Sequence, residues 1–208
     1  MTVPSARATN GIALLTVAAF LVTSLLGNGV AVDLVGGFVP ARFSGAELPG
    51  ALPAWVTPLT ATLLHGGLLH LGFNMLMLLF CGRMVEAVVG PVGLVLLYIL
   101  GAYAAALGQY LLDPGSTGPM IGASGAISAL FGAYALLFGR PKILLAHPRI
   151  AALVNTLWLA AAWVGVQFLM GFAFIDMGMA IAVGAHVGGF LAGLAVVGLM
   201  TKHRPSAT

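Results

Sequence analysis

The fold class is decided by residues 92–112, which read VGLVLLYILGAYAAALGQYLL and contain no charged residue. At the 1.5 Å rise of an α-helix, this run is long enough to cross the roughly 30 Å hydrocarbon core of a bilayer. Further long apolar runs occur at 11–34, 60–81, 120–138, 151–174 and 178–200. Because the backbone must satisfy its own hydrogen bonds in lipid, runs of this length favour helices over barrel strands. The sequence therefore predicts an all-α polytopic integral membrane protein with six transmembrane helices.

The composition supports a single membrane domain. Hydrophobic residues make up 61% of the 208 residues, charged residues only 6%, and the mean hydropathy is +1.10. A soluble domain of this length does not normally have such values. We predict one membrane domain at 11–200, with cytoplasmic tails at 1–10 and 201–208. A cleaved signal peptide is a less favoured interpretation of the first run, which is longer than a usual signal core and lacks a clear cleavage site.

The basic residues orient the protein in the membrane. If the N-terminus is cytoplasmic, most of them obey the positive-inside rule, and only Arg42 lies outside. The residues then on the cytoplasmic side are Arg7, Arg83, Arg140, Lys142, Arg149, Lys202 and Arg204. We therefore predict a multi-pass plasma (inner) membrane protein with both termini cytoplasmic. This topology explains the pI of about 9.4, so we expect a lipid bilayer and no nucleic acid as the partner of the basic residues.

Two chemically reactive side chains lie within the apolar runs. Residues 122–125 read GASG and residues 185–189 read AHVGG. An ionisable side chain in hydrocarbon is costly, so an intramembrane His is by default a functional residue. The predicted topology places Ser124 on span four and His186 on span six, both in the outer half of the bilayer. Because no Asp or Glu lies within a span at that depth, we predict a Ser–His dyad with an active site open to the extracytoplasmic side.

Small residues at four-residue spacing predict that spans four and six pack closely. Such stripes are also typical of ordinary packing seams in membrane proteins, but here each of them carries a reactive side chain. The residues are Ser124, Ser128 and Gly132 on span four, and Ala182, His186, Gly189 and Gly193 on span six.

The second span contributes His65, His70 and Asn74. His65 and His70 are about 140° apart around a helix and cannot bind one metal ion together. The single cysteine, Cys81, lacks partners for a metal site, so we predict none. His70 and Asn74 share a face and can donate hydrogen bonds toward one point, which suits an oxyanion. We interpret His65 as a structural hydrogen-bonding residue.

The start of the fourth helix supplies a further donor. Pro119 and Gly122 indicate that this helix begins close to Ser124. The first N–H groups of a helix lack internal partners and carry partial positive charge. The Ser124 backbone N–H is therefore predicted to point toward the same oxyanion.

Three motifs together resemble the rhomboid intramembrane serine proteases. They are HGGLLHLGFN at 65–74, GASG at 122–125 and AHVGGFLAG at 185–193, in the family's order and on the family's spans. The segment GRMVE at 82–86 is similar to the one that closes the family's second span. The resemblance extends over about 11–200 and implies a rhomboid-like bundle. It also implies that Ser124 is the nucleophile, that His186 is the general base, and that His70, Asn74 and the Ser124 N–H form the oxyanion hole. Gly122, Gly125, Ser128 and Gly189 have supporting roles.

The resemblance implies a serine endopeptidase that cleaves transmembrane helices of membrane proteins near the outer face through an acyl-enzyme, with no cofactor. The alternative is a catalytically inactive rhomboid-like protein that binds membrane clients. A small transporter or channel is less favoured, because it would usually show more intramembrane charge or paired repeats. Two positions depart from the family's pattern. Ser128 stands where bacterial members often have an aromatic residue, and Trp55 precedes Val56 where the first outer loop often has Trp-Arg.

Overall fold

The computed structural model describes residues 6–27, 29–139, 147–175 and 182–202, and these are helical over most of their length. A π-helical turn, Leu78–Gly82, joins the helix that ends at Met77 to the helix that begins at Arg83. The all-α prediction is confirmed. The helices are α1 (Arg7–Leu25), α2 (Gly29–Gly36), α3 (Thr57–Thr60), α4 (Leu68–Met77), α5 (Arg83–Leu112), α6 (Ser124–Phe138), α7 (Pro148–Ile175) and α8 (Val183–Lys202).

Three helical segments of the described residues have the length and apolar composition needed to cross a membrane. They are Arg7–Leu25, Leu68–Leu112 and Val183–Met200, and shorter apolar helices cover Ser124–Phe138 and Leu153–Gly165. Large apolar side chains point outward along these helices, with Leu25 87% and Leu69 80% exposed. Such an apolar exterior is suited to lipid, and the protein is an integral membrane protein.

The 45-residue segment Leu68–Leu112 is interrupted within α5. Gly90 has φ 77° and ψ 170°, a backbone conformation that side-chain-bearing residues rarely adopt. Pro91 follows and lacks the N–H that would continue the helical hydrogen bonds. The segment therefore consists of two helical rods, 68–89 and 91–112, which correspond to the second and third apolar runs of the sequence.

The helix boundaries differ from the apolar runs at several points. The first run, 11–34, is divided between α1 and α2, and the second run is regular helix only from Leu68 onward. The helix in the fourth apolar run, α6, begins at Ser124 rather than at residue 120. Residues 178–181 of the last run lie outside the described residues, and α8 begins at Val183. Hydropathy reports where a chain is apolar, whereas turns and breaks decide where it is helical.

Helix α8 lies at the centre of the packing, against α5 and α6, while α7 packs chiefly against α8. The predicted seam between α6 and α8 is present, because a Cβ at Gly193 would overlap the Ala129 carbonyl. A second seam, which the sequence reasoning missed, joins α5 to α8. There a Cβ at Gly184 would lie 2.6 Å from the Gly108 carbonyl oxygen. Small residues at both seams allow the backbones to approach closely.

A carboxylate from α5 caps the start of α1. Glu86 is buried, and its Oε1 accepts the Ala8 N–H at 3.0 Å. Its Oε2 accepts the Thr9 N–H at 2.9 Å and the Thr9 hydroxyl at 2.7 Å. The first N–H groups of a helix lack intrahelical partners and favour negative charge. Glu86 thus holds α1 against α5.

The long connection between α2 and α3 is held to the loop that precedes α6. Phe38 and Met120 exchange two backbone hydrogen bonds, of 3.0 and 2.8 Å, and the Phe38 side chain is only 2% exposed. The Tyr103 hydroxyl donates to the Trp55 carbonyl at 3.0 Å. This connection is therefore anchored through its backbone groups at Phe38 and Trp55, although Trp55 is not followed by the arginine that the family often has.

Candidate active site

The nucleophile candidate lies at the first turn of α6. Ser124 is the first residue of that helix, so the predicted helix start is confirmed. The turn before it is made by Gly122, whose φ is +112°. A Cβ at Gly122 would lie 2.7 Å from His70 Nε2 and 3.8 Å from Ser124 Oγ. A glycine is needed at this position both for its backbone conformation and for the space between these two side chains.

The structure brings Ser124 and His186 together. His186 Nε2 lies 2.8 Å from Ser124 Oγ, a hydrogen-bond distance between residues 62 positions apart in sequence. Both side chains are half-buried. The contact depends on close packing of α8 on α6, because a Cβ at Gly189 would overlap the Gly125 carbonyl. Gly125 is itself confined, since a Cβ there would lie 2.6 Å from the Ala105 Cβ on α5.

His70 borders the same space from α4. Its Nδ1 accepts a long hydrogen bond of 3.4 Å from the Gly66 N–H, just before the helix. An imidazole whose Nδ1 acts as acceptor carries its proton on Nε2 when neutral. That Nε2 is the atom beside Gly122, so His70 presents a donor at the turn that precedes Ser124.

Asn74 lies one turn after His70 on the same face of α4, as its spacing predicts. Its side chain is 5% exposed, and Nδ2 donates to the His70 carbonyl at 2.8 Å. The amide is therefore held by its own helix and keeps one further N–H for another acceptor. Its Oδ1 is buried without a hydrogen-bond partner in the described part of the chain.

His65 is buried beneath the turn that leads to Ser124. Its Nε2 accepts the Ala123 N–H at 3.4 Å, and its ring centroid is 5.0 Å from that of His70. His65 lies before α4, which begins at Leu68, so the prediction that His65 and His70 lie about 140° apart on one helix is wrong. The hydrogen bond from Ala123 agrees with the predicted structural role of His65. Within the described residues, no group of three or more His, Cys, Asp or Glu side chains is placed to hold a metal ion.

Ser128, which replaces the family's frequent aromatic residue, faces its own helix. It is buried, and its Oγ donates to the Ser124 carbonyl at 2.8 Å. Aromatic packing occurs further along, where Trp163 of α7 lies 4.6 Å from Phe131 and 5.2 Å from Phe190 between ring centroids. The sequence reasoning missed this cluster, because nothing in the spacing of α7 marks the face that meets α8.

Comparison with known protein families identifies one family that matches the chain. The rhomboid domain family matches residues 53–203, about three quarters of the chain. The match contains all the residues placed in the site above. No curated protein matches the chain closely enough to be significant. On the strength of that match, the chain belongs to the rhomboid family.

Proposed function

We propose that this protein is an intramembrane serine protease in which Ser124 and His186 form the catalytic dyad. The observation that carries the proposal is the 2.8 Å contact between Ser124 Oγ and His186 Nε2, made inside a bundle with an apolar exterior. The rhomboid family consists largely of intramembrane serine proteases, with some inactive members. A nucleophile within hydrogen-bond reach of its base is the arrangement that covalent catalysis requires.

In the proposed reaction, Ser124 Oγ attacks the scissile carbonyl carbon while its proton moves to His186 Nε2. The carbon–nitrogen bond then breaks, and the same proton passes to the leaving amine, which leaves an ester on Ser124. Water attacks the ester, and its proton returns through His186 to the serine oxygen as the new carboxyl product forms. The dyad is regenerated, and the cycle consumes only water.

The oxyanion of each tetrahedral intermediate would lie in the space above Gly122. The Ser124 N–H, at the first residue of α6, has no carbonyl within the helix to bond to. His70 Nε2 faces the same space, and Asn74 lies one turn away on α4. Donors fixed in a low-dielectric site stabilise developing negative charge strongly, and one of them typically contributes about 10²–10³ in rate.

We further propose six transmembrane spans, with both termini cytoplasmic and the site open to the outer side. Division of Leu68–Leu112 at Gly90 gives two rods that are each long enough to cross the bilayer, and α6 and α7 supply the fourth and fifth spans. The membrane domain would span 11–200, between short tails at 1–10 and 201–208. The substrates would be transmembrane helices, unwound locally near the outer face so that their backbone carbonyls become accessible.

A mechanism-based fluorophosphonate probe on the purified protein tests the dyad. We expect the wild type to be labelled covalently and to cleave a model transmembrane substrate, and Ser124→Ala and His186→Ala to lose both activities. Two matched controls should be labelled as the wild type is: Ser116→Ala, in the loop before α6, and His147→Ala, exposed before α7.

Two outcomes would contradict the proposal. Labelling that survives Ser124→Ala would exclude this serine as the nucleophile. A folded wild type that neither labels nor cleaves would favour the inactive, client-binding alternative.

A further inference from the structure

The backbone of the proposed general base receives a hydrogen bond from a neighbouring helix. The indole N–H of Trp163 on α7 donates to the carbonyl oxygen of His186 at 3.3 Å. In the regular hydrogen-bonding pattern of α8, that carbonyl also accepts the Phe190 N–H. The indole therefore adds a second donor to this carbonyl and joins two transmembrane helices at the proposed catalytic residue.

The ring of Trp163 also makes contacts with neighbouring helices. It stacks on Phe190 with an interplanar angle of 17°, and it also contacts Phe131 on α6. Phe190 is 1% exposed and forms a buried cluster with Ala135 and Leu194. Because α7 packs chiefly on α8, the Trp163 side chain contributes to the contact between α7 and the helix that carries His186.

Ser128 bonds to the Ser124 carbonyl and offers no aromatic ring against the imidazole. The reach of His186 Nε2 to Ser124 then depends on how α8 is rotated about its own axis, and a small rotation would lengthen a 2.8 Å contact. Trp163 opposes such a rotation through the stacked ring on Phe190 and the hydrogen bond on His186.

We propose that Trp163 is a positioning residue for His186, which couples the docking of α7 to the alignment of the Ser–His dyad. This inference rests on the proposed function. Loss of the indole N–H should leave the fold intact and slow the attack of Ser124, even on a small probe that does not need α7 to move. We expect the rate of attack to fall by about 2- to 10-fold, the range typical of the loss of one neutral hydrogen bond.

The test compares Trp163→Phe with Trp158→Phe. Trp163→Phe keeps an aromatic ring and removes the donor, whereas Trp158 lies on the same helix and is 55% exposed. The measured quantities are the rate of fluorophosphonate labelling per folded molecule, and kcat and KM on a model transmembrane substrate. We expect Trp163→Phe to lower the labelling rate and kcat by 2- to 10-fold with KM nearly unchanged, and Trp158→Phe to change none of them.

An unchanged or faster labelling rate in folded Trp163→Phe would overturn the inference while leaving the dyad itself intact. The proposed function fails separately, through absence of wild-type labelling at Ser124. A loss confined to thermal stability, with normal kcat in the folded fraction, would also overturn the positioning role.

A measurement on the wild type keeps the inference testable if Trp163→Phe does not fold. The chain has only three tryptophans, so the ¹⁵N indole resonances can be assigned with Trp55→Phe and Trp158→Phe alone. The Trp163 indole N–H should exchange with solvent more slowly than that of Trp158, and its resonance should shift when Ser124 is acylated. Exchange as fast as that of Trp158, or no shift on acylation, would count against the coupling.

Discussion

At the residue scale, the proposed chemistry depends on a position without a side chain. His70 Nε2 and Ser124 Oγ would lie 2.7 and 3.8 Å from a Cβ at Gly122. The same residue turns the chain, at φ +112°, so that α6 begins at Ser124. One glycine thus precedes the helix start at Ser124 and keeps open the space proposed for an oxyanion.

Gly122→Ala should reduce turnover by about 10²-fold or more, because the methyl group would displace the His70 ring and intrude on the oxyanion space. The positive φ should also cost about 1–3 kcal/mol of stability. Gly118→Ala is the matched control, since a Cβ there would lie no closer than 4.0 Å to its neighbour Ser116 Oγ. Labelling rates and thermal midpoints of both variants check this. Normal turnover in Gly122→Ala would show that the space is not used.

Asn74→Ala tests whether this amide contributes to the oxyanion hole or only to its helix. We expect turnover to fall by about 10²–10³ with the protein still folded. Asn155 makes the same type of bond in α7, from its Nδ2 to the Ala151 carbonyl at 2.8 Å, so Asn155→Ala controls for loss of the intrahelical bond. Equal kcat values for the two variants on a model substrate would remove Asn74 from the hole.

At the element scale, the described helices start and stop at specific local features rather than at the limits of apolar sequence. Helix α5 is divided at Gly90 and Pro91, and α6 begins where the Gly122 turn ends. Helix α1 has no side-chain cap of its own and is capped by Glu86 from α5. A polar contact between two elements therefore fixes the position of a helix whose own surface is apolar.

Glu86→Ala should destabilise the protein by about 2–4 kcal/mol, because it leaves the Ala8 and Thr9 N–H groups and the Thr9 hydroxyl without their buried acceptor. Thermal denaturation in detergent measures the effect. Glu47→Ala, at an exposed position in the connection between α2 and α3, is the control and should leave the midpoint unchanged. If both variants melt alike, the cap does not contribute to stability.

At the scale of the whole molecule, the proposed six-span topology places the loop before α6 and the segment before α7 on opposite sides of the membrane. The basic residues around the second of these segments support a cytoplasmic location. The proposed site then opens to the outer side, because Ser124 comes directly after the loop before α6.

Cysteine accessibility tests this topology in a Cys81→Ala background. Ser116→Cys should react with an impermeant maleimide in intact cells or spheroplasts, and His147→Cys only after permeabilisation. The physical reason is that α6 separates the two positions by one membrane crossing. Reaction of both from the same side, or in the reverse order, would contradict the proposed orientation.

The sequence by itself determined the helical class, the membrane environment, the residues that form the candidate site and the start of α6. These follow from hydropathy, residue chemistry and turn-forming residues, all of which act within a few positions of the chain. The roles of the site residues stay predictions until they are tested.

Only the tertiary structure decided how the helices are rotated and which faces meet. It placed Ser124 against His186, Glu86 on α1, Phe38 beside Met120, and Trp163 on the His186 carbonyl. The physical reason is that a helix in lipid can be apolar on every side, so its hydropathy carries little information about which face is buried. Small residues reveal the closest seams. The rotation of a helix such as α7 about its own axis is instead fixed by the packing of its aromatic side chains against neighbouring helices.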